Sequence, residues 1–361
     1  MIKSIDATRL LQLVFVSTLA ALAGCQGQPQ ASQSSSESMD VRGKRAPGTV
    51  IDLSQWKITL PMDSNRDGKI DEVGPPTISR LLEPRFFYAN SEGGVVFTAP
   101  NKAITTSNST NTRSELRQMI DASGSKTKAP GNNFVLAAHP NASRYGSIGG
   151  TLSAKLAVNH VAIEAKNPDK KPAFSVVVGQ IHAGKDSSMA KGFGYGNEPL
   201  KIYYKKWPDH EYGSVFWTYE RNLERDDPNR TDIAYPVWGN LWDSSESPQE
   251  QGVKLNEPFS YVVDIDGSVM TLTFSAEGKP TVNYSVDLSN NVDPEGRLDE
   301  LDNPKGYSGD WFYFKAGAYN QCSAKDQDGM WYAGCAGSGI WSEDSQNGHY
   351  AQATFYSLTL K

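Results

Sequence analysis

Three short stretches of the chain carry an arginine, an amide, an imidazole and a phenol at spacings that put them on strand faces. Successive side chains of a strand point to opposite faces. In Thr112-Arg113-Ser114-Glu115-Leu116-Arg117-Gln118-Met119, therefore, Arg113, Glu115 and Arg117 point one way, with Leu116 opposite. In Val176-Val177-Val178-Gly179-Gln180-Ile181-His182, Gln180 and His182 share a face, and Val177 and Ile181 are expected on the other. In 311–321, Tyr313, Lys315, Gly317, Tyr319 and Gln321 make a polar face and Phe312, Phe314, Ala316 and Ala318 an apolar one. Gly317 would let a ligand lie against the backbone. Each stretch alone has a plain structural reading: a solvated strand face, an ion-pair ladder, a histidine at a strand end. Together they suit one reaction. Taking a proton from carbon next to a carboxylate leaves an unstable dianion. An arginine and an amide bonded to that carboxylate would stabilise it, a histidine could take the proton, and a tyrosine could protonate the leaving oxygen. This is the demand of β-elimination in a uronic-acid polymer.

The elements that must position these groups read as strands. In 361 residues with 10% aromatic and 21% charged side chains, Gly 32 and Pro 20 punctuate short apolar or alternating runs from 94–98 to 351–360. Asp266-Gly267 between two such runs marks a hairpin. Helix signals are confined to 79–82 and 298–301, and 226–251 and 290–310 read as loops. Many strands without a βαβ rhythm predict an all-β domain of two packed antiparallel sheets. A net charge of −6 points to neither nucleic acid nor an anionic membrane surface, so an anionic ligand must meet local cations. In 200–206, Lys201, Tyr203 and Lys205 share a face and are expected to extend such a groove.

The N-terminus has its own logic. Lys3 and Arg9 precede an apolar segment, 10–22, too short to span a bilayer, so residues 1–24 read as a signal peptide. Leu22-Ala23-Gly24-Cys25 resembles a bacterial lipobox with Cys25 lipidated, and Gln26 after it resembles lipoproteins sent to the outer membrane or cell surface. Residues 25–48, rich in Gln, Ser and Pro, read as a flexible tether, and 49–361 as the folded domain. The remaining thiols, Cys322 and Cys335, are expected to pair in an exported chain, which would contribute about 3 kcal/mol in the chain-entropy model. Asp63, Asn65, Asp67 and Asp71, with Gly68, match the start of an EF-hand-type loop, but Gly74 stands where the closing glutamate belongs. A weak structural calcium site and a simple turn are both open.

The blocks RSELR at 113–117, QIH at 180–182 and YFKAGAYNQ at 313–321 closely resemble the family 7 polysaccharide lyases, the alginate lyases. That resemblance implies a β-jelly roll of two curved antiparallel sheets with a substrate cleft on the concave one. It implies that Arg113 and Gln180 neutralise the uronate carboxylate, that His182 is the C5 base for guluronate, and that Tyr319 is the proton donor. Arg117, Lys315 and Gln321 would bind neighbouring sugars, and Glu115 would orient the arginines. Ile181 resembles members acting on guluronate-containing stretches. The implied enzyme is monomeric, endolytic, and free of redox cofactor or catalytic metal. A lyase for another polyuronate such as glucuronan, and a non-catalytic alginate-binding module, are the alternatives. A glycoside hydrolase would need two carboxylates at the bond, and the blocks offer Glu115 alone.

Overall fold

In the computed structural model, residues 41–123, 126–325 and 331–361 are described. The signal segment and Cys25 lie outside them, as does the tether as far as residue 40. At the tether's far end, Arg45 bridges Ala89, and the Lys44 ammonium donates to the Pro84 carbonyl at 2.6 Å.

Fifteen principal strands follow in order: β1 Trp56–Leu60, β2 Asp71–Val73, β3 Phe87–Ala89, β4 Val95–Pro100, β5 Asn111–Gln118, β6 Gly150–His160, β7 Ser175–Lys185, β8 Leu200–Lys205, β9 Tyr212–Glu220, β10 Asp232–Trp238, β11 Phe259–Asp266, β12 Val269–Ala276, β13 Val282–Asp287, β14 Asp310–Ser323 and β15 Tyr350–Leu360. One sheet runs β10-β9-β8-β7-β14-β5-β1-β2 and the other β13-β12-β11-β6-β15-β4-β3. All neighbours along both paths are antiparallel. The two inner faces bury one core, in which Val176, Ile181, Phe312 and Phe314 meet Leu156, Phe259, Val263 and Phe355. This is the expected all-β sandwich. The Asp266-Gly267 turn joins β11 to β12 with Gly267 at φ +63°, a conformation glycine adopts without cost.

Alternation holds along β5, β8 and β14, because one face of each is apolar and must go inward. It fails once in β7. Ile202 pairs with Gly179 but Tyr203 with Val177, so Val178 is an extra residue, a β-bulge. Val178 and Gly179 both turn inward, where the Tyr261 ring leaves no room for a Cβ on Gly179. Val177 therefore lies on the outer face with Tyr203 and Tyr319, not with Ile181 as simple alternation predicts. Gly317 is also corrected. At φ +142°, a Cβ there would stand 2.5 Å from the Ser114 carbonyl oxygen, so the space it leaves is filled by β5 rather than offered to a ligand.

Two loop and helix expectations change. Residues 226–251 contain β10, an edge strand whose Pro236 masks the pattern and is tolerated because an edge can spare an amide donor. Leu298 bridges Val292 instead of starting a helix, and a helical turn forms at Thr77–Arg80. Among the described residues the α-helix is Trp341–Gln346.

Candidate active site

Register brings the three blocks together on the outer face of the first sheet. Arg117, Lys315, Gln180 and Lys201 lie in one row across β5, β14, β7 and β8. Tyr319 pairs with Arg113 on one side and Val177 on the other, and Tyr313 stands opposite His182.

Glu115 is the hub. Its carboxylate is 2% exposed and receives the Gln180 side-chain amide on one oxygen. The other oxygen takes Arg113 Nη1 at 3.2 Å and the Lys315 ammonium. Burial pushes Lys315 down to about 8 although Glu115 opposes it. Arg113 donates from Nη2 to Ser109 Oγ at 2.9 Å and lies 4.0 Å over the Tyr319 ring. Burial works against its charge, but Tyr319 and Glu115 outweigh it, and the guanidinium is held above its ordinary value. Its buried Nε has no partner among the described residues. The Tyr319 hydroxyl is 3.3 Å from the same Ser109 Oγ.

His182 is the most open member of the set, with 31% of its side chain exposed. Its ring stacks parallel on Tyr313 at 5.2 Å. Nδ1 lies 2.8 Å from the Ala183 carbonyl oxygen, which can only accept, so the proton sits on Nδ1 and Nε2 is the working nitrogen.

The remaining cations are engaged by the protein. Arg117 donates to the carbonyls of Gln118 and Thr127 and to Asn133 Oδ1, each at 2.5 Å, and burial lowers it to about 10. Lys201 meets Asp232 at 2.9 Å, Glu198 at 3.2 Å and Glu220 at 3.8 Å. Lys205 donates to the carbonyls of Lys171 and Ala173, and burial lowers it to about 8. Tyr203 is buried flat against Phe216. In place of an extended basic groove, β8 therefore presents internally neutralised charge and an aromatic cluster. Gln321 is buried, donating to the Tyr319 carbonyl, with Oε1 unpartnered among the described residues.

Cys322 and Cys335 form a disulfide. It holds the segment carrying Trp331, which packs edge-on to Trp242 at 5.6 Å, and Tyr332, whose hydroxyl burial raises well above the phenol range in the company of Tyr319 and Lys201. In the 63–71 loop, Asp63 accepts the amides of Asp67 and Gly68, Asn65 that of Asp67, and Asp71 the amide and the hydroxyl of Ser64. Among the described residues no group of three His, Cys, Asp or Glu is placed to hold a metal ion.

The three blocks omitted Glu198, Ser109 and Tyr332. Glu198 and Ser109 sit in loops whose approach to the site follows from the fold, and no local pattern marks either.

A family model described as alginate lyase matches residues 51–361. An alginate lyase of Klebsiella pneumoniae is 34% identical over 325 residues, covering 87% of this chain and 90% of that protein. The crystal structure of an alginate lyase from Klebsiella pneumoniae matches at TM-score 0.67 and 32% identity, covering 88% of this chain and 98% of that one. An exolytic family 7 alginate lyase from Zobellia galactanivorans gives TM-score 0.67 and 32% identity, covering 88% and 97%. Alginate lyase A1-II′, 21% identical at TM-score 0.54, shares the fold.

Proposed function

The chain belongs to the alginate lyases of polysaccharide lyase family 7, and on that premise we propose that it cleaves the 1,4-glycosidic bonds of alginate by β-elimination, leaving an unsaturated uronate at the new non-reducing end. The observation that carries this is the convergence of Arg113, Gln180 and Lys315 on one carboxylate, flanked by His182 and Tyr319. Donors that already hold a carboxylate can turn to a substrate's, and the orphaned Nε of Arg113 is a buried donor still to be matched. His182 Nε2 takes the C5 proton of guluronate. The electron pair forms the C4–C5 double bond as the C4–O bond breaks, and Tyr319 supplies a proton to the departing oxygen. Guluronate preference rests on resemblance at Ile181. That side chain faces the core, so any influence on sugar choice runs through the placement of β7.

For the mode of attack, a second reading competes with internal cleavage. Tyr203, Phe216 and Trp242 fill the outer face beside Tyr319, and Trp331 stands against Trp242. A wall there favours attack near a chain end. The lipid anchor at Cys25 is also part of the proposal, supported by the sequence around it. Cys25→Ser should take the protein out of the detergent phase.

The test of the reaction is ultraviolet absorbance of unsaturated uronate when the full-length protein meets polyguluronate, polymannuronate or glucuronan. A rise on polyguluronate is expected, and it should vanish in His182→Ala with the circular dichroism unchanged. A flat trace on both alginate blocks, with binding retained, would replace the lyase by a binding module.

A further inference from the structure

Glu198, in the loop before β8, is the polar group that meets the working nitrogen of His182. Its Oε1 lies 3.0 Å from Nε2, while Nδ1 faces the Ala183 carbonyl. Both ring nitrogens thus face acceptors, an arrangement satisfied in full by the doubly protonated ring. Resting on the assignment of His182 as base, we propose that Glu198 is a positioning residue that holds His182 in a charged pair in the free enzyme, so that its carboxylate sets the acid edge of the working pH range.

The surroundings leave Glu198 as the charge that His182 meets. Across the ring, Tyr313 on β14 is raised to about 12 by burial and stays neutral. On β7 itself, neutral Gln180 separates His182 from the Glu115–Lys315 pair. Behind Glu198, its other oxygen meets Lys201 on β8 at 3.2 Å, and its amide donates to Glu220 on β9 at 3.0 Å. Lys201 also meets Asp232 on β10, and Arg230 lies 2.6 Å from Glu220. Burial raises Glu220 above the carboxylate range, so it holds a proton more tightly than an exposed acid. Burial opposes the charge of Glu198 too, but Lys201 and His182 outweigh it, and Glu198 stays ionised well below its usual range. Lys201 fixes this carboxylate instead of reaching for substrate. When alginate arrives, Nε2 must exchange Glu198 for the C5 hydrogen, and it can take that hydrogen as a proton only once the ring has lost its second proton.

The experiment compares wild type with Glu198→Gln, a neutral side chain of nearly the same shape, in the full-length enzyme. Histidine labelled with 13C at Cε1 reports the ring without substrate, the His182 signal being the one lost in His182→Asn. In Glu198→Gln the titration midpoint of that signal is expected to fall by about one pH unit, because an imidazolium loses an adjacent opposite charge. The acid limb of kcat/KM should move down with it, while KM on the plateau changes little. Glu198→Asp, which keeps the charge, should return both toward wild type. Superimposable titrations and pH profiles would overturn the proposal. A midpoint that falls while the kinetic limb stays put would overturn it through its premise, by removing His182 as the base.

Discussion

At the scale of single residues, the site is organised by one buried carboxylate, Glu115, to which the proposed reaction gives no proton to move. Glu115 gathers Arg113, Gln180 and Lys315 within reach of one another, and on the proposed function a substrate uronate would meet those donors already oriented. Lys315 makes this pH-dependent. With its ammonium pushed down to about 8 by burial, it is charged at neutral pH and loses its charge as pH rises through that value. KM for alginate is therefore expected to climb above pH 8, with kcat less affected. Lys315→Met should show a raised KM at pH 7 that no longer climbs, and a KM in wild type that stays level to pH 9.5 would refute the role. Tyr319 carries the opposite signature. Arg113 lies over its ring and Ser109 meets its hydroxyl, so Tyr319→Phe keeps the packing and removes the transferable proton. The expected loss is about 10²-fold or more in kcat with KM changed little; residual turnover within fivefold of wild type would exclude Tyr319 as the acid.

At the scale of elements, the irregular positions are the ones that bring the residues into line. The extra residue at Val178 lets Gln180 and His182 share the outer face with Val177 farther down the same strand, which puts an apolar contact beside Tyr319. On β14, Gly317 lets β5 approach closely enough for Glu115 to stand under the donors. Gly317→Ala would set a Cβ 2.5 Å from the Ser114 oxygen and 2.9 Å from Glu115 Cα at φ +142°. A destabilisation of about 2–3 kcal/mol is expected from strain and crowding together, read as a lowered Tm, along with loss of activity. A fully active, equally stable variant would show that the close approach is not needed. These positions also mark what the sequence made legible. The faces of β5, β8 and β14 could be read because each alternates against an apolar inner face. The β7 bulge could not, because Val176, Val177 and Val178 are chemically alike and nothing local says which turns outward. The partners of Lys201 and Arg117 were hidden for a different reason: Asp232 and Asn133 reach them only through strand pairing and loop packing, so a cation counted as free in the sequence is already neutralised or enclosed in the fold.

At the scale of the whole molecule, a chain of net charge −6 has to accept a polyanion, and it does so by spending its acidic groups asymmetrically. On the β8–β10 side Glu198, Glu220 and Asp232 enclose Lys201, with Arg230 against Glu220, and their charges largely cancel, while Arg113 and Lys315 exceed Glu115 by one charge on the β5–β14 side. The uncancelled positive charge that would draw a polyanion thus lies over β5 and β14, away from the side on which Trp242 and Trp331 stand. On the proposed reading the Trp242–Trp331 pair closes that end of the binding path, and the disulfide holds the segment that carries Trp331. Closing a loop of 13 residues contributes about 3 kcal/mol in the chain-entropy model, so reduction should lower the Tm by several degrees. The wall itself is best tested at Trp331, which is 41% exposed and can be truncated without opening the core. If it stops the polymer, wild type should release short products while solution viscosity falls slowly for each bond broken. Trp331→Ala should then lower viscosity faster per unit of absorbance and shift early products toward longer oligosaccharides. Identical viscosity-to-absorbance curves for the two proteins would mean that the chain passes beyond Trp331 unhindered, and that internal cleavage is the working mode.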